Sequence, residues 1–289
     1  MNKHIDICIA AIEEKWLTPL YEACRQGFRG RHLPSHDHSH HSRVWNICKL
    51  LLRESNDPDP VVDQDFVEGL IIAAFFHDAG MAETSSPAHG KPGRALCTSW
   101  FENRIQEKPA LLEEALEAIE YHDKKDASVY RGIIPGKKPE ILGYLSIADD
   151  LDAFGHIGIY RYVEIYTERE LPLSSLGTQI MRNASMRFTN IGKSCCACPH
   201  TLRAFKARYD TLINFFDRYN QQLLIEENPR EIRSGYLGVV NHIRQIGMGR
   251  RIKPGNLWMH VDKHVPGCVV RDFFDALQAD LKDGYKNLC

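Results

Sequence analysis

The sequence lacks long hydrophobic runs, a large net charge of either sign and low-complexity segments. Its longest apolar run, Leu70–Phe76, is far shorter than the ~20 residues that a membrane-spanning helix needs. Lys and Arg number 36 against 38 Asp and Glu, which argues against a nucleic-acid coat or a membrane-surface role driven by bulk charge. The 20 glycines and 14 prolines are spread along the chain, which excludes a disordered or repetitive polymer. The composition is therefore that of a globular protein with a sizeable core.

Export and a disulfide framework are also not expected. The N-terminal residues are interrupted by Asp6 and do not resemble a signal peptide, and the cysteine count of nine is odd. We therefore expect a cytoplasmic protein whose thiols are mostly reduced. In the cluster Cys195, Cys196 and Cys198, the first and last residues have the spacing of one of the two ligand pairs of a structural zinc site. A structural zinc needs a second pair, for which the chain offers only Cys268 with His260 or His264, so we interpret the cluster as a loop without zinc.

Apolar residues recur at spacings of three and four along most of the chain, which predicts helices. The predicted helices cover residues 5–20, 44–51, 61–76, 93–105, 110–122, 141–153, 201–219 and 270–281. Convincing alternating strands are few, so the predicted fold class is an all-α bundle. We expect a core with an N-terminal helix in residues 1–190. Residues 191–289 are then a helical C-terminal extension that packs on this core.

Histidine is the conspicuous residue type, with 14 in the chain. Five of them lie within ten positions, namely His32, His36, His38, His40 and His41. We interpret His36, His38 and His41 as an exposed polar turn that leads into a helix, with Asp37 or Ser39 as its cap. His36 could still line a site.

A histidine and an aspartate follow the most apolar predicted helix directly. Burying His77 and Asp78 is costly unless they are paired or coordinated, and a divalent cation would compensate that cost. Gly80 lets the chain leave the helix, so both side chains can reach one ion. Further along, Asp149 and Asp152 are three apart and share one face of a helix, whereas Asp150 points elsewhere.

These residues resemble the HD-domain superfamily of metal-dependent phosphohydrolases, in which His … His-Asp … Asp lies on an all-helical bundle. The resemblance is closest to a bacterial branch with His-Asp-x-x-His-x-x-Arg-Val near the start, here His36–Val44. The same branch shows Ala-Asp-x-Leu-Asp-Ala-x-Gly-x-x-Gly later, here Ala148–Gly158. The resemblance covers roughly residues 20 to 170.

The resemblance implies a set of metal ligands, namely His40, His77, Asp78 and Asp149. The expected cofactor is one divalent ion (Mn, Mg, Co, Ni, Fe or Zn). The alternative is two ions, with His89 and His122 supporting the second ion or the substrate. Supporting positions around the ligands are assigned to His36, Arg43 and Asp152.

The expected mechanism is attack of metal-activated water on a phosphoryl group. Asp78 would take the proton of the water, Lys91 and Arg94 would contact phosphate, and His122 would donate a proton to the leaving oxygen. The predicted function is phosphohydrolysis of a small phosphorylated molecule, a nucleotide by resemblance.

Three alternatives stay open for this sequence. They are a phosphodiesterase acting on a cyclic nucleotide or an oligonucleotide, a non-catalytic nucleotide- or metal-binding regulatory module, and a di-iron oxygenase. The expected partner is the phosphorylated substrate. We expect no membrane and find no evident nucleic-acid-binding surface, and a homodimer stays open.

Overall fold

The computed structural model describes residues 3–55, 62–104, 108–124, 133, 136–195, 197–261 and 268–285, and this part of the chain contains α-helices and no β-strand. The α-helices are α1 (Lys3–Gly27), α2 (His38–Glu54), α3 (Gln64–Phe76), α4 (Gly90–Glu102), α5 (Leu112–Tyr121), α6 (Ile141–Asp152), α7 (Gly155–Glu168), α8 (Leu173–Ser194), α9 (Pro199–Leu223), α10 (Gly235–His242) and α11 (Val269–Asp283). Short 3-10 segments occur at Ala79–Ala82 and Pro254–His260, and a π-helical turn at Ile243–Met248. The all-α prediction is confirmed. Within these ranges, none of the helices combines the length and the apolar character needed to cross a membrane.

The chain divides into two compact units. Within the described ranges, unit 1 takes in residues 1–152 and 187–203, and unit 2 takes in residues 153–186 and 204–287. The predicted domain division after residue 190 stays a prediction.

Helix α3 is the centre of unit 1. It is buried on all sides from Phe66 to Phe76, because α1, α2, α4, α5 and α6 all pack against it. The predicted apolar face of α1 is confirmed and lies against α3, where Trp16 donates its indole N–H to Glu68 at 2.6 Å. A helix that is apolar all round is typical of a buried core element.

Side-chain oxygens of unit 1 accept hydrogen bonds from the backbone N–H groups at the start of three helices. Asp37 accepts from the Ser39 N–H at the start of α2, which confirms the predicted cap, and Asp63 accepts from the Phe66 N–H at the start of α3. The carboxylate of Glu54, at the end of α2, accepts the Thr201 N–H at 2.8 Å in the first turn of α9. These contacts satisfy N–H groups that have no partner within their own helix.

Unit 2 is held by an aromatic cluster. Phe215 of α9 lies 5.4 Å from Phe273 of α11 and 5.3 Å from Tyr236 of α10, measured between ring centroids. Phe205, Phe216 and Tyr219 of α9 are buried as well, so these aromatic residues form packing contacts. Near them, Arg208 donates to Asp280 at 3.0 Å, and Asp280 also accepts from His156.

The described cysteines are free thiols, and all are buried. They are Cys8, Cys24, Cys48, Cys97, Cys195, Cys198 and Cys268. Hydrogen bonding to Cys195, together with burial, raises the pKa of Cys198, so this thiol is protonated. No metal cluster in the described ranges includes either of these two residues, and Cys196 and His264 lie outside the described residues.

Candidate metal centre

Three helix ends bring His40, His77, Asp78 and Asp149 to one place. His40 lies in the first turn of α2 and Asp149 in the last turn of α6. Helix α3 ends at Phe76, and a 3-10 segment begins at Ala79, so His77 and Asp78 occupy the junction. Adjacent residues can point to one centre here because the helical side-chain directions no longer hold.

The first group of possible ligands is compact and buried. His40 Nε2 lies 3.0 Å from His77 Nε2, 3.2 Å from Asp78 Oδ2 and 3.5 Å from Asp149 Oδ1. His77 Nε2 lies 3.5 Å from Asp78 Oδ2 and 3.9 Å from Asp149 Oδ1. All four side chains are buried. Two imidazoles and two carboxylates within this radius form a ligand set that suits a divalent transition metal.

A second group shares Asp78 with the first. The other carboxylate oxygen, Asp78 Oδ1, lies 2.8 Å from His89 Nε2 and 3.2 Å from His122 Nε2. The two imidazole nitrogens are 3.1 Å apart, and these residues too are buried. Asp78 thus directs one oxygen to each group, so it would serve as a ligand in both.

In each histidine, a hydrogen bond at Nδ1 orients the ring so that Nε2 points towards the other members of its group. Each Nδ1 lies beside an acceptor, namely Asp152 at 2.7 Å for His40, the Ala74 carbonyl at 2.9 Å for His77, the Ser86 carbonyl at 3.0 Å for His89 and the Ile119 carbonyl at 2.8 Å for His122. Because these acceptors need an N–H, we place the proton on Nδ1, and each neutral ring then presents the lone pair of Nε2.

With the protons on Nδ1, the inner atoms of both groups need a positive charge between them. Two Nε2 lone pairs at 3.0 Å, or at 3.1 Å, cannot hydrogen-bond to each other, and the carboxylates beside them are also acceptors. A buried set made only of acceptors is unfavourable unless a positive charge lies among them. The residues present therefore fit a divalent ion in the first group. In the second group, Asp78 attracts positive charge to His89 Nε2 at 2.8 Å, and either a proton or a divalent ion supplies that charge.

The ionisation of these residues agrees with a cation site. Burial lowers the pKa of His77 well below its usual value, although the neighbouring Asp78 carboxylate acts in the opposite direction. Burial alone would raise the pKa of Asp78, but the imidazoles of His77 and His89 outweigh it, and the pKa lies well below the ordinary range. Burial favours neutral His89, yet the Asp78 carboxylate outweighs it and raises the pKa of His89. Asp78 is therefore a carboxylate that attracts positive charge.

Asp152 and Arg43 hold His40, a member of the first group, in its orientation. Asp152 is fully buried and accepts from His40. Arg43 donates to both of its oxygens, with Nε at 2.9 Å and Nη2 at 3.0 Å. This bidentate pair holds the carboxylate in place, and the carboxylate holds the His40 ring. The predicted common face of Asp149 and Asp152 is confirmed, because both contact His40.

Two glycines allow the second group to assemble. A Cβ added to Gly80 would overlap the His89 carbonyl oxygen, and one added to Gly90 would lie 2.9 Å from the Ile119 carbonyl oxygen. The Ile119 carbonyl is the acceptor that orients His122. The close backbone approach at these positions therefore sets the distance between His89 and His122.

Substituting Gly90 with alanine is expected to weaken binding at the second group selectively. The added methyl must push α4 away from α5, which separates His89 from His122, so the affinity for the ion bound there should fall about 10- to 100-fold. Metal titration with stoichiometry measured by elemental analysis tests this. The matched control is Gly192→Ala, where an added Cβ meets nothing within 4 Å. Equal loss at the first group would contradict the assignment.

The predicted phosphate contacts lie on α4, beside the second group. Lys91 is exposed and follows His89 by two residues. The Arg94 guanidinium is paired with Glu113 and, at 3.4 Å, with Glu120, both on α5. Both roles stay predictions, and the geometry favours Lys91, because Arg94 already has two carboxylate partners.

The interpretation of His36 and His41 as exposed residues is wrong. They are 6% and 0% exposed, respectively, while His38 is partly exposed. His41 donates from Nδ1 to the Phe75 carbonyl at 2.7 Å, and its ring lies 4.8 Å from that of His77. The helix is buried on more than one side here because α2 packs on both α3 and α6.

Two elements of the centre have no signal in the sequence. The carbonyls that orient the histidines are backbone atoms, so no residue type marks them. Asp150 is fully buried and accepts from Arg187 of α8 at 2.5 Å, a partner 37 positions away. The prediction that Asp150 points away from its neighbours is confirmed, but its partner was not predicted.

Comparison with known families assigns this part of the chain. Residues 38–154 match the family model described as HD domain, a range that includes every member of both groups. Comparisons with curated proteins and with solved structures found no match. Residues 38–154 are therefore similar to an HD domain, and the His/Asp cluster that they contain fits the metal site of that domain. The narrower bacterial branch stays a prediction.

Proposed function

We propose that this HD domain is a divalent-metal-dependent phosphohydrolase that acts on a nucleotide or a similar small phosphorylated molecule. An HD domain with an intact His/Asp cluster indicates a metal-dependent hydrolase of phosphate esters. The observation that carries the proposal is the convergence of two imidazole Nε2 atoms and carboxylate oxygens on one buried centre. The nucleotide preference rests on the resemblance of the motifs.

Some residues of the site would hold a cation, and others would act on the water and the substrate. His40, His77 and Asp149 would hold an ion through Nε2 and Oδ1, and a divalent ion supplies acidification of a water molecule and polarisation of a phosphoryl oxygen. Asp78 presents an ionised oxygen to each group and can accept a proton from water. The proton on His122 Nδ1 favours a ligand role for its Nε2, and its role as a proton donor stays a prediction.

Lys91 is the residue we assign to the substrate phosphate. It is exposed, lies in the first turn of α4 close to His89, and has no carboxylate partner among the residues that the structure describes. Positive charge near the equatorial oxygens stabilises phosphoryl transfer.

A phosphodiesterase is the second candidate, and the second group favours it. Asp78, His89 and His122 would hold a second ion beside the first, and two ions would stabilise both the attacking and the leaving oxygen, which suits a diester. Cyclic nucleotides and short oligonucleotides are the corresponding substrates.

The test is product release from a panel of nucleotides, phosphomonoesters, cyclic nucleotides and oligonucleotides with added Mn, Mg, Co or Ni. Lys91→Ala is expected to lower kcat/KM about tenfold through loss of a charged contact. Lys108→Ala, which removes an exposed lysine outside both groups, should leave it unchanged. The products distinguish monoester, pyrophosphate and diester cleavage. Failure of wild type to turn over any substrate with any metal would favour a binding module, or an iron oxygenase if iron copurifies.

A further inference from the structure

Unit 2 contains a group of cations without carboxylate partners. No Asp or Glu occurs in residues 232–261, whereas Arg233, Arg244, Arg250, Arg251 and Lys253 all fall there. In the described ranges none of these five side chains forms an ion pair. The chain as a whole has a formal charge of −2, so this is a local separation of charge.

Hydrogen bonds fold the segments that carry these cations onto one another. His242, at the end of α10, donates to the Leu257 carbonyl of the 3-10 segment at 3.3 Å. Gln245 of the π-helical turn donates at 3.0 Å to the Arg230 carbonyl, which also accepts from Arg233. Burial and then the nearby His260, Arg233 and Arg250 lower the pKa of His242, which agrees with their proximity.

The loop after the π-helical turn presents two arginines side by side. The Ile252 N–H donates to the Gly247 carbonyl at 2.9 Å, which reverses the chain. Arg251 has φ of 56°, a left-handed conformation that is strained for a residue with a side chain. Arg250 and Arg251 are both exposed.

An exposed indole follows these cations. Trp258 is 40% exposed and Met259 is 50% exposed, on the 3-10 segment that begins directly after Lys253. We name Arg233, Arg250, Arg251, Lys253 and Trp258 the basic aromatic surface. Cations that track a phosphate backbone, combined with an aromatic ring on which an unpaired base can stack, are the features of a single-strand binding surface.

We propose that the basic aromatic surface binds single-stranded nucleic acid. The proposal goes beyond the phosphohydrolase function and does not depend on it. A single strand fits better than a duplex because only unstacked bases expose a face to an indole. It fits better than a lipid surface because, apart from Met259, the neighbours of Trp258 in the 3-10 segment offer little exposed apolar area.

The test is fluorescence anisotropy of a labelled single-stranded oligonucleotide of about 20 bases, titrated with full-length protein at about 50 mM and about 200 mM salt. The integrity of the probe is checked on a gel. Saturable binding that weakens steeply with salt is expected. The triple variant Arg250→Ala, Arg251→Ala, Lys253→Ala should bind at least about tenfold more weakly and lose about two units of salt slope.

The matched control is a triple variant that removes three positive charges from other positions in unit 2. Lys206→Ala, Arg218→Ala, Lys282→Ala takes away three exposed cations that have local partners, and it should bind like wild type. Trp258→Ala should weaken binding about tenfold, and Trp258→Phe should restore most of it, because a phenyl ring still stacks. Binding should also quench tryptophan fluorescence in wild type but not in Trp258→Phe.

Three outcomes would overturn the proposal. They are no saturable binding at the lower salt concentration, equal losses in the two triple variants, and binding to vesicles of anionic lipid in place of the oligonucleotide. Because the assay measures binding alone, a protein that binds the strand but hydrolyses nothing would contradict only the proposed enzymatic function.

Discussion

Asp78→Ala is expected to abolish metal-dependent hydrolysis and to remove metal from both groups. Its Oδ2 lies 3.2 Å from His40 Nε2, and its Oδ1 lies 2.8 Å from His89 Nε2. No other described residue belongs to both groups. Without this carboxylate, the imidazoles of each group keep fewer anionic partners, and turnover should fall by at least about 10³-fold.

The measurement is metal content per chain by elemental analysis, made on the same sample as the phosphate-release assay. Asp63→Ala is the matched control, because Asp63 caps the other end of α3 and belongs to neither group. It should cost about 1 kcal/mol of stability and leave metal content and activity intact. An Asp78→Ala protein with wild-type metal content would refute the role of Asp78 as a ligand in both groups.

Arg43→Met is expected to lower the free energy of unfolding by about 3–5 kcal/mol. Arg43 is the bidentate partner of Asp152, which is fully buried. Removing the guanidinium leaves the Asp152 carboxylate buried without the positive charge that pairs with it. Because Asp152 also orients His40, metal affinity at the first group should fall about 10- to 100-fold.

Urea unfolding of the apo protein measures the change in the free energy of unfolding. Metal titration measures the change in metal affinity at the first group. Arg53→Met is the matched control, because Arg53 lies on the same helix and pairs with Asp6 at a partly exposed site. That change should cost at most about 1 kcal/mol. The double variant Arg43→Met, Asp152→Asn removes the uncompensated charge and should regain part of the loss. Equal costs for Arg43→Met and Arg53→Met would contradict this account.

The sequence predicted those parts of the centre that depend on helical spacing. Asp149 and Asp152 share a face, and His77 with Asp78 ends a buried helix, because periodicity and hydrophobicity are local properties. The prediction was wrong for His36 and His41, since their polarity suggested exposure, whereas both side chains are buried. His41 lies on α2, which packs against α1, α3 and α6.

Contacts between residues that are far apart in the chain could not be predicted from the sequence. The pairing of Asp150 with Arg187 depends on how α8 packs, and the approach of α4 to α5 depends on Gly90, which no periodicity marks. The HD match ends at residue 154, so it carries no information on the basic stretch that precedes Trp258, and the exposure of that indole is known only from the folded structure.

The burial of the cysteines makes each thiol a native reporter of local opening. Burial raises the pKa of Cys24, Cys48 and Cys97, which lie on α1, α2 and α4. A thiol reagent can react with them only after the surrounding helix opens and the thiolate forms. Labelling followed residue by residue by mass spectrometry therefore gives the opening equilibrium of three helices around the metal centre, without any added probe.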